Sequence, residues 1–276
     1  MNQRILTAGI VALAACARKD APPPAPPAPQ EVTFTATDFA FTGPDSIAPG
    51  VTSIRLVNQG AQEHHLILGQ LAGGKTVQDL MAFMQANPTG EPDFLTWRGG
   101  GNAIASQGSN VSISDLPAGN YVAICFLPDP ADGTPHIAKG MMKELVVAGP
   151  RGEAPVPTTT LEARTSDYAF TLPALTAGTH TIHYINDGPK THEIQLYRLN
   201  EGATMESFMA AMAPGSTTPP PGVAIGGPGA LSPGGDNYFT VTLEPGKYLV
   251  ICFVPDPDGV PHAMKGMVQE LTIPAS

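Results

Sequence analysis

Apolar and polar residues alternate with a period of two in several short runs. These include Val32-Thr33-Phe34-Thr35-Ala36-Thr37, Ser53-Ile54-Arg55-Leu56-Val57-Asn58, Val111-Ser112-Ile113-Ser114 and Thr240-Val241-Thr242-Leu243. That period predicts strands with one buried face. Pro-Gly, Ala-Gly and Asn-Gln-Gly turns punctuate the runs. One helix per repeat fits the pattern. It starts at Thr76, with Asp79 three residues on as a capping box, and sets Val77, Leu80, Met81 and Met84 on one face.

The pattern is written twice. Asp38-Phe39-Ala40-Phe41 recurs as Asp167-Tyr168-Ala169-Phe170, and Leu56-Val57-Asn58-Gln59-Gly60 as Tyr184-Ile185-Asn186-Asp187-Gly188. Thr76-Val77-Gln78-Asp79 recurs as Thr204-Met205-Glu206-Ser207. Tyr121-Val122-Ala123-Ile124-Cys125-Phe126 recurs as Tyr248-Leu249-Val250-Ile251-Cys252-Phe253. Each copy has about 115 residues, the size of one domain. The expectation is an all-β protein of two tandem Greek-key β-sandwiches, each with one short helix in a long connection. The domains would span 31–149 and 160–276. Residues 150–159, with Pro150, Pro155 and Pro157, would link them.

Residues 1–15 pair a short positive start, Asn2-Gln3-Arg4, with an apolar run from Ile5 to Ala15, which suits a signal peptide. The run ends in Leu13-Ala14-Ala15-Cys16, which resembles the bacterial lipoprotein signal. By that resemblance Cys16 carries lipid, and the protein is extracytoplasmic and membrane-anchored, on the periplasmic side or the cell surface. Residues 16–30 would follow as the lipidated cysteine and a proline-rich linker, six prolines in Ala21–Gln30 making a semi-rigid spacer. No later stretch is long and apolar enough to span a bilayer.

Net charge is −10 at pH 7, which argues against a nucleic-acid partner. The same charge would steer a basic redox partner, such as a cytochrome. Three cysteines exclude a disulfide framework. No Ser/His/Asp order, paired-carboxylate motif or phosphate-cradling loop is present. Gly99-Gly100-Gly101 and Gly226-Gly227 read as loop glycines.

One constellation repeats with the strands. Copy one holds His64, Cys125, His136 and Met141; copy two holds His192, Cys252, His262 and Met267. Ten residues separate Cys125 from His136 and nine separate Cys252 from His262; four then precede each methionine. Met142 and Met264 are adjacent candidates, but the repeat favours Met141 and Met267. Two imidazoles, a thiolate and a thioether make the donor set of a blue-copper electron-transfer site. The cysteine would end a core strand, with the second His and the Met flanking the start of the last strand. The first His comes from a different strand.

On these segments, from residue 31 to 275, the chain resembles the cupredoxin family, the plastocyanin/azurin-like blue-copper proteins, in two tandem domains. The resemblance implies up to two coppers, one per domain. His64, Cys125, His136 and Met141 would bind the first, and His192, Cys252, His262 and Met267 the second. The function implied is one-electron transfer through a type 1 copper in each domain. Alternatives are copper binding or delivery without redox turnover, and a metal-free surface interaction module. Two features depart from the family. The Cys-to-His loop is longer than in small blue-copper proteins. The residue after the first His, often Asn in the family, is His65 in one copy and Glu193 in the other. His65, His180 and His183 form no further metal cluster, and the neighbours of the cysteines are Ile124 and Ile251, not His. On that ground the chain is expected not to be an oxidase, a nitrite reductase or any other enzyme.

Overall fold

The computed structural model describes residues 25–213, 215–216 and 218–275. The expected signal segment and Cys16 lie outside the described residues. Copy one runs β1 (Gln30–Thr37), β2 (Ala40–Thr42), β3 (Ser46–Ile47), β4 (Gly50–Asn58), β5 (His64–Leu71), α1 (Val77–Ala86), β6 (Leu95–Ile104), β7 (Ser109–Leu116), β8 (Gly119–Ile124) and β9 (Met142–Val147). Copy two runs β10 (Glu162–Ser166), β11 (Ala169–Thr171), β12 (Gly178–Asn186), β13 (Gln195–Leu199), α2 (Met205–Ala211), β14 (Gly222–Gly226), β15 (Asp236–Leu243), β16 (Gly246–Ile251) and β17 (Val268–Ile273). The protein is all-β, and each copy is a β-sandwich with its one α-helix in the long connection between the second and third of its long inner strands. Both α-helices carry a full capping box, Thr76 with Asp79 and Thr204 with Ser207. A short 3₁₀ turn that the strand pattern does not signal follows in each copy, at His136–Lys139 and His262–Lys265.

The two copies share both of their sheets. One sheet has the order β11-β10-β12-β15-β7-β4-β1-β2, the other β17-β16-β13-β14-β6-β5-β8-β9-β3. The copies join where β15 pairs antiparallel with β7 (Phe239 opposite Ser112) and β14 with β6 (Ile225 opposite Ile104). Within each copy non-consecutive strands are neighbours, for example β4 between β1, its parallel neighbour, and β7.

The strand that leads to each cysteine is buried on both faces. Tyr121 and Ala123 join Val32, Phe34, Leu56, Leu66 and Leu116 inside the sandwich, together with Cys125 and Met141. Val122 and Ile124 turn the other way, onto Val77 and Leu80 of α1. In copy two Tyr248 and Val250 face inward, while Leu249 and Ile251 pack with Phe208 of α2. An unbroken apolar run is what such a strand needs, and the period of two then places the cysteine on the inward face.

The glycine runs are not loops. Gly99 and Gly100 lie in β6 with φ of 87° and 99°; Gly226 ends β14 with φ of 94°, and Gly227 follows it with φ of 126°. A Cβ on Gly100 would sit 2.1 Å from the Leu66 carbonyl oxygen, and one on Gly227 would sit 2.1 Å from that of Ile194. These strands approach their neighbours too closely for a side chain, which is why they read as turns by composition. Across the seam Gly99 N donates to Ala230 O at 2.8 Å and Gly229 N to Gly100 O at 3.0 Å.

One buried asparagine per copy fixes the loop that enters the first histidine strand. Asn58 Nδ2 donates to the Gln62 and Ile104 carbonyls at 2.7 and 2.9 Å, and its Oδ1 accepts from Gly60 N at 2.9 Å. Asn186 repeats this with Lys190, Leu231 and Gly188. Asn58→Ala leaves these groups without partners in a dry site and is expected to cost roughly 2–4 kcal/mol. Thr76→Ala, which loses only a cap, is expected to cost about 1 kcal/mol. Urea unfolding of both variants checks this, and an equal loss contradicts the anchoring role of Asn58.

Candidate metal centres

His64 opens β5, Cys125 stands one residue past β8, His136 opens the 3₁₀ turn, and Met141 follows that turn. Gly140 ends the turn in the left-handed region, φ 98°, and sends the chain back on itself. Met141 N then donates to His136 O at 2.9 Å, and Cys125 N donates to Met141 O at 3.2 Å. The methionine backbone is thereby tied to the cysteine backbone. Copy two has the same ties: Met267 N to His262 O at 3.0 Å, and Cys252 N to Met267 O at 3.2 Å.

The structure brings the three donor atoms of each copy together. Cys125 Sγ lies 4.0 Å from His64 Nδ1 and 3.4 Å from His136 Nδ1. Cys252 Sγ lies 3.9 Å from His192 Nδ1 and 3.4 Å from His262 Nδ1. Within each set the donor atoms all lie within 4.8 Å of one another. The two histidine rings of each site tilt at 52°. Met141 and Met267 are fully buried beside the cysteines. Among the described residues no other group of three His, Cys, Asp or Glu converges this way. His65, His180 and His183 stand apart: His180 Nε2 faces Thr176 O, and His183 stacks on Tyr238 and faces Asp236.

The outer nitrogen of each histidine faces an oxygen. His64 Nε2 is 3.0 Å from Asp38 Oδ1, and His136 Nε2 is 2.9 Å from Gln62 Oε1. His262 Nε2 is 3.2 Å from Asp256 Oδ1, and His192 Nε2 is 3.6 Å from Asp167 Oδ1. At His64, His136 and His262 such partners hold the proton on the outer nitrogen and leave the Nδ1 lone pair pointing inward, whereas His192 Nε2 is buried without a hydrogen-bond partner. Burial lowers the pKa of all four rings, with His192 down to about 4. Burial also pushes the Cys125 thiol up to about 11, and burial with the Glu193 charge pushes Cys252 well above its usual value. A neutral imidazole pair and a thiol that gives up its proton only to a strong electrophile is a site waiting for a soft cation. The donor set fits copper, one ion per domain.

Sequence reasoning missed the residues around the ligands. Phe39 meets the His136 ring edge-on at 5.1 Å, and Tyr168 meets His262 at 5.3 Å. Both aromatics have positive φ, 65° and 58°, and each lies under a lysine, Lys139 or Lys190. Their signal was the repeated Asp-aromatic-Ala-Phe segment, which supplies both a carboxylate and a ring to each site. The copies differ in one respect. His136 faces the neutral Gln62, whereas His262 faces the Asp256 carboxylate, which also holds Lys265 and Tyr168.

No protein-family model matches the sequence, and no curated protein matches it. Solved structures do. Reduced auracyanin from the photosynthetic bacterium Roseiflexus castenholzii is 22% identical, with 45% of this chain and 100% of that chain covered at a TM-score of 0.32. A copper-containing nitrite reductase from Thermus scotoductus is 14% identical, over 88% of this chain and 60% of that one, at 0.25. A blue copper oxidase from Nitrosomonas europaea is 15% identical, over 89% of this chain and 85% of that one, at 0.27. The expectation that the chain is not an enzyme is corrected by these matches, since those spanning both domains include an oxidase and a nitrite reductase. That expectation rested on missing histidine motifs, and the fold hosts electron carriers and enzymes alike.

Burial raises the Glu193 carboxyl to about 7, against the pull of the Phe253 amide and the Asn102 side chain. The folded state therefore binds this proton more tightly than the unfolded chain. Its stabilising contribution is complete below the ordinary value of 4.5 and is lost as pH rises through about 7. For the metal-free protein, Glu193→Gln is expected to match wild type near pH 4 and to exceed its stability by roughly 2–3 kcal/mol near pH 8. Urea unfolding at the two pH values checks this. A constant difference between the proteins contradicts the assignment.

Proposed function

We propose that the protein carries single electrons through a type 1 copper in each domain. The reading rests on one observation: two imidazole nitrogens and a thiol sulfur converge, buried, in both copies, with a buried methionine tied to each cysteine. Copper held by these donors supplies a one-electron couple that needs no bond making or breaking.

The protein's own residues set the conditions for that couple. His64, Cys125 and His136, and their partners in copy two, would hold the metal, and Met141 and Met267 would offer a weaker thioether donor that tunes the potential. The sandwich and its backbone ties hold the donors rigid, so that little rearrangement accompanies a change of oxidation state. Burial excludes water from the metal and from the thiol. Phe39 and Tyr168 cover the outer histidine edges, and the carboxylates and Gln62 orient the rings. We further propose that lipid on Cys16 and the proline-rich segment tether the protein to an extracytoplasmic membrane face. A basic redox protein such as a cytochrome would be the partner, drawn by the net charge of −10.

Adding Cu(II) to the purified protein is expected to give an intense visible thiolate-to-copper band. Cys125→Ser and Cys252→Ser should each remove about half of it, and the double variant all of it, because each thiolate serves one site. No band in the wild-type protein, or a band that survives in the double variant, contradicts the reading. Membrane association in a bacterial host should be lost in Cys16→Ser, and unchanged fractionation contradicts the anchor.

A further inference from the structure

Methionine occupies two kinds of place in this protein. Among the described residues, Met141 and Met267 are the only methionines in the fully buried cores. The others gather at one surface feature. Met81 and Met84 of α1 line a groove together with Met142, the first residue of β9. All three are half-buried. Val77 and Ala138 line the same groove. Met205, Met209, Met212 and Met264 stand at the copy-two positions of Val77, Met81, Met84 and Ala138. Every described methionine outside the ligand sets therefore falls at a groove position of one copy or the other.

Packing does not call for this placement. Met212 and Met264 are 38% and 50% exposed, so neither fills a core. Nor do the copies repeat one pattern: Val268 stands where copy one has Met142, and Met264 where it has Ala138. A thioether on that wall recurs while its position changes. The spacing of three residues puts Met81 and Met84 side by side on α1. Among the described residues, none that lines the groove is charged or carries an imidazole or a thiol, and Gln78 and Gln85 add only neutral amides. A hard or borderline dication finds no anionic or imidazole donor there, whereas thioethers select soft monovalent copper. The groove's remaining wall is the ligand loop. Pro135 and Ile137 flank His136, and Met142 follows Met141.

We propose that Met81, Met84 and Met142 form a surface site for Cu(I), with Met209, Met212 and Met264 as its counterpart in copy two. The metal stays Cu(I) on binding. No electron moves, and no proton is released, because a thioether carries none. The site is separate from the buried His/Cys sets, and its occupation does not require them to hold metal. Copper held there lies against the loop that carries His136 and Met141.

The test uses the full copper-free chain with isotope-labelled methionine methyl groups, followed by NMR. It is titrated with Ag(I), a redox-inert soft cation of the same charge, and with Cu(I) in the absence of oxygen. The Met81, Met84 and Met142 resonances are expected to shift together, at a midpoint roughly tenfold or more below that of N-acetylmethionine under the same conditions. Met209, Met212 and Met264 should shift as a second set, and Zn(II) should move neither. The double variant Met81→Leu, Met84→Leu keeps volume and apolar character, so the groove persists. In it the Met142 midpoint should rise roughly tenfold, since two of three donors are gone. The buried sites report separately through Met141 and Met267. Groove resonances that stay still, that move with unrelated midpoints, or that move no more readily than N-acetylmethionine overturn the groove site. So does a Met142 midpoint that the double variant leaves unchanged. A groove that serves only as an adaptable apolar surface for a protein partner gives the first of these results. Resonances of Met141 and Met267 that stay still overturn the copper reading of the buried sites instead.

Discussion

Two imidazoles and a thiol held within a few ångströms of one another, away from water, form a demanding arrangement. None of the three can be charged in that place without compensation, and their inward lone pairs have no hydrogen-bond donors besides one another. The surrounding structure answers this demand. Outer oxygens fix the tautomer of His64, His136 and His262. Backbone amides and carbonyls of the ligand loop satisfy each other, so that Cys125, His136 and Met141 are locked by their main chains as well as by packing. The left-handed turn at Gly140 makes that closure possible, and the strand before Cys125 is buried on both faces so that the thiol starts from a fixed point.

Duplication does more than supply a second site. The copies share both sheets, so the edges that each sandwich would otherwise expose are paired with the other copy. The seam is built from glycine strands because the backbones approach too closely for side chains. Polar side chains nonetheless cross it: Asn110 Nδ2 donates to Gly227 O at 2.7 Å and Gln195 Nε2 to Ala103 O at 3.1 Å. Glu193 and His65 occupy equivalent places but are chemically unlike, as are Asp256 and Gln62 against the second histidines. Two sites of one ligand type thus sit in different electrostatic surroundings, and a negative charge nearby favours the more oxidised state of a bound metal.

Strands with clean alternation, such as β1 and β7, were legible because one face is buried and the other is not. The helix of copy one was legible from its cap and apolar face, and that of copy two from the repeat. The glycine strands were not, because close backbone contact and a turn call for the same residue. The ligand types stood out because they recur at matched spacing. Their partners did not, since Asp38 and Gln62 lie 26 and 74 residues from the histidines they orient and only the folded sheet brings them together. The exclusion of enzymatic activity failed for another reason. A motif search can find a known arrangement, but a shared fold leaves open which chemistry the site performs.

Anomalous diffraction at the copper edge, on crystals of the copper-loaded protein, tests the central claim most directly. The account predicts two internal anomalous peaks per chain. One would be bounded by His64 Nδ1, Cys125 Sγ and His136 Nδ1, the other by His192 Nδ1, Cys252 Sγ and His262 Nδ1. Peaks confined to surface groups, with both buried sets empty, would contradict it.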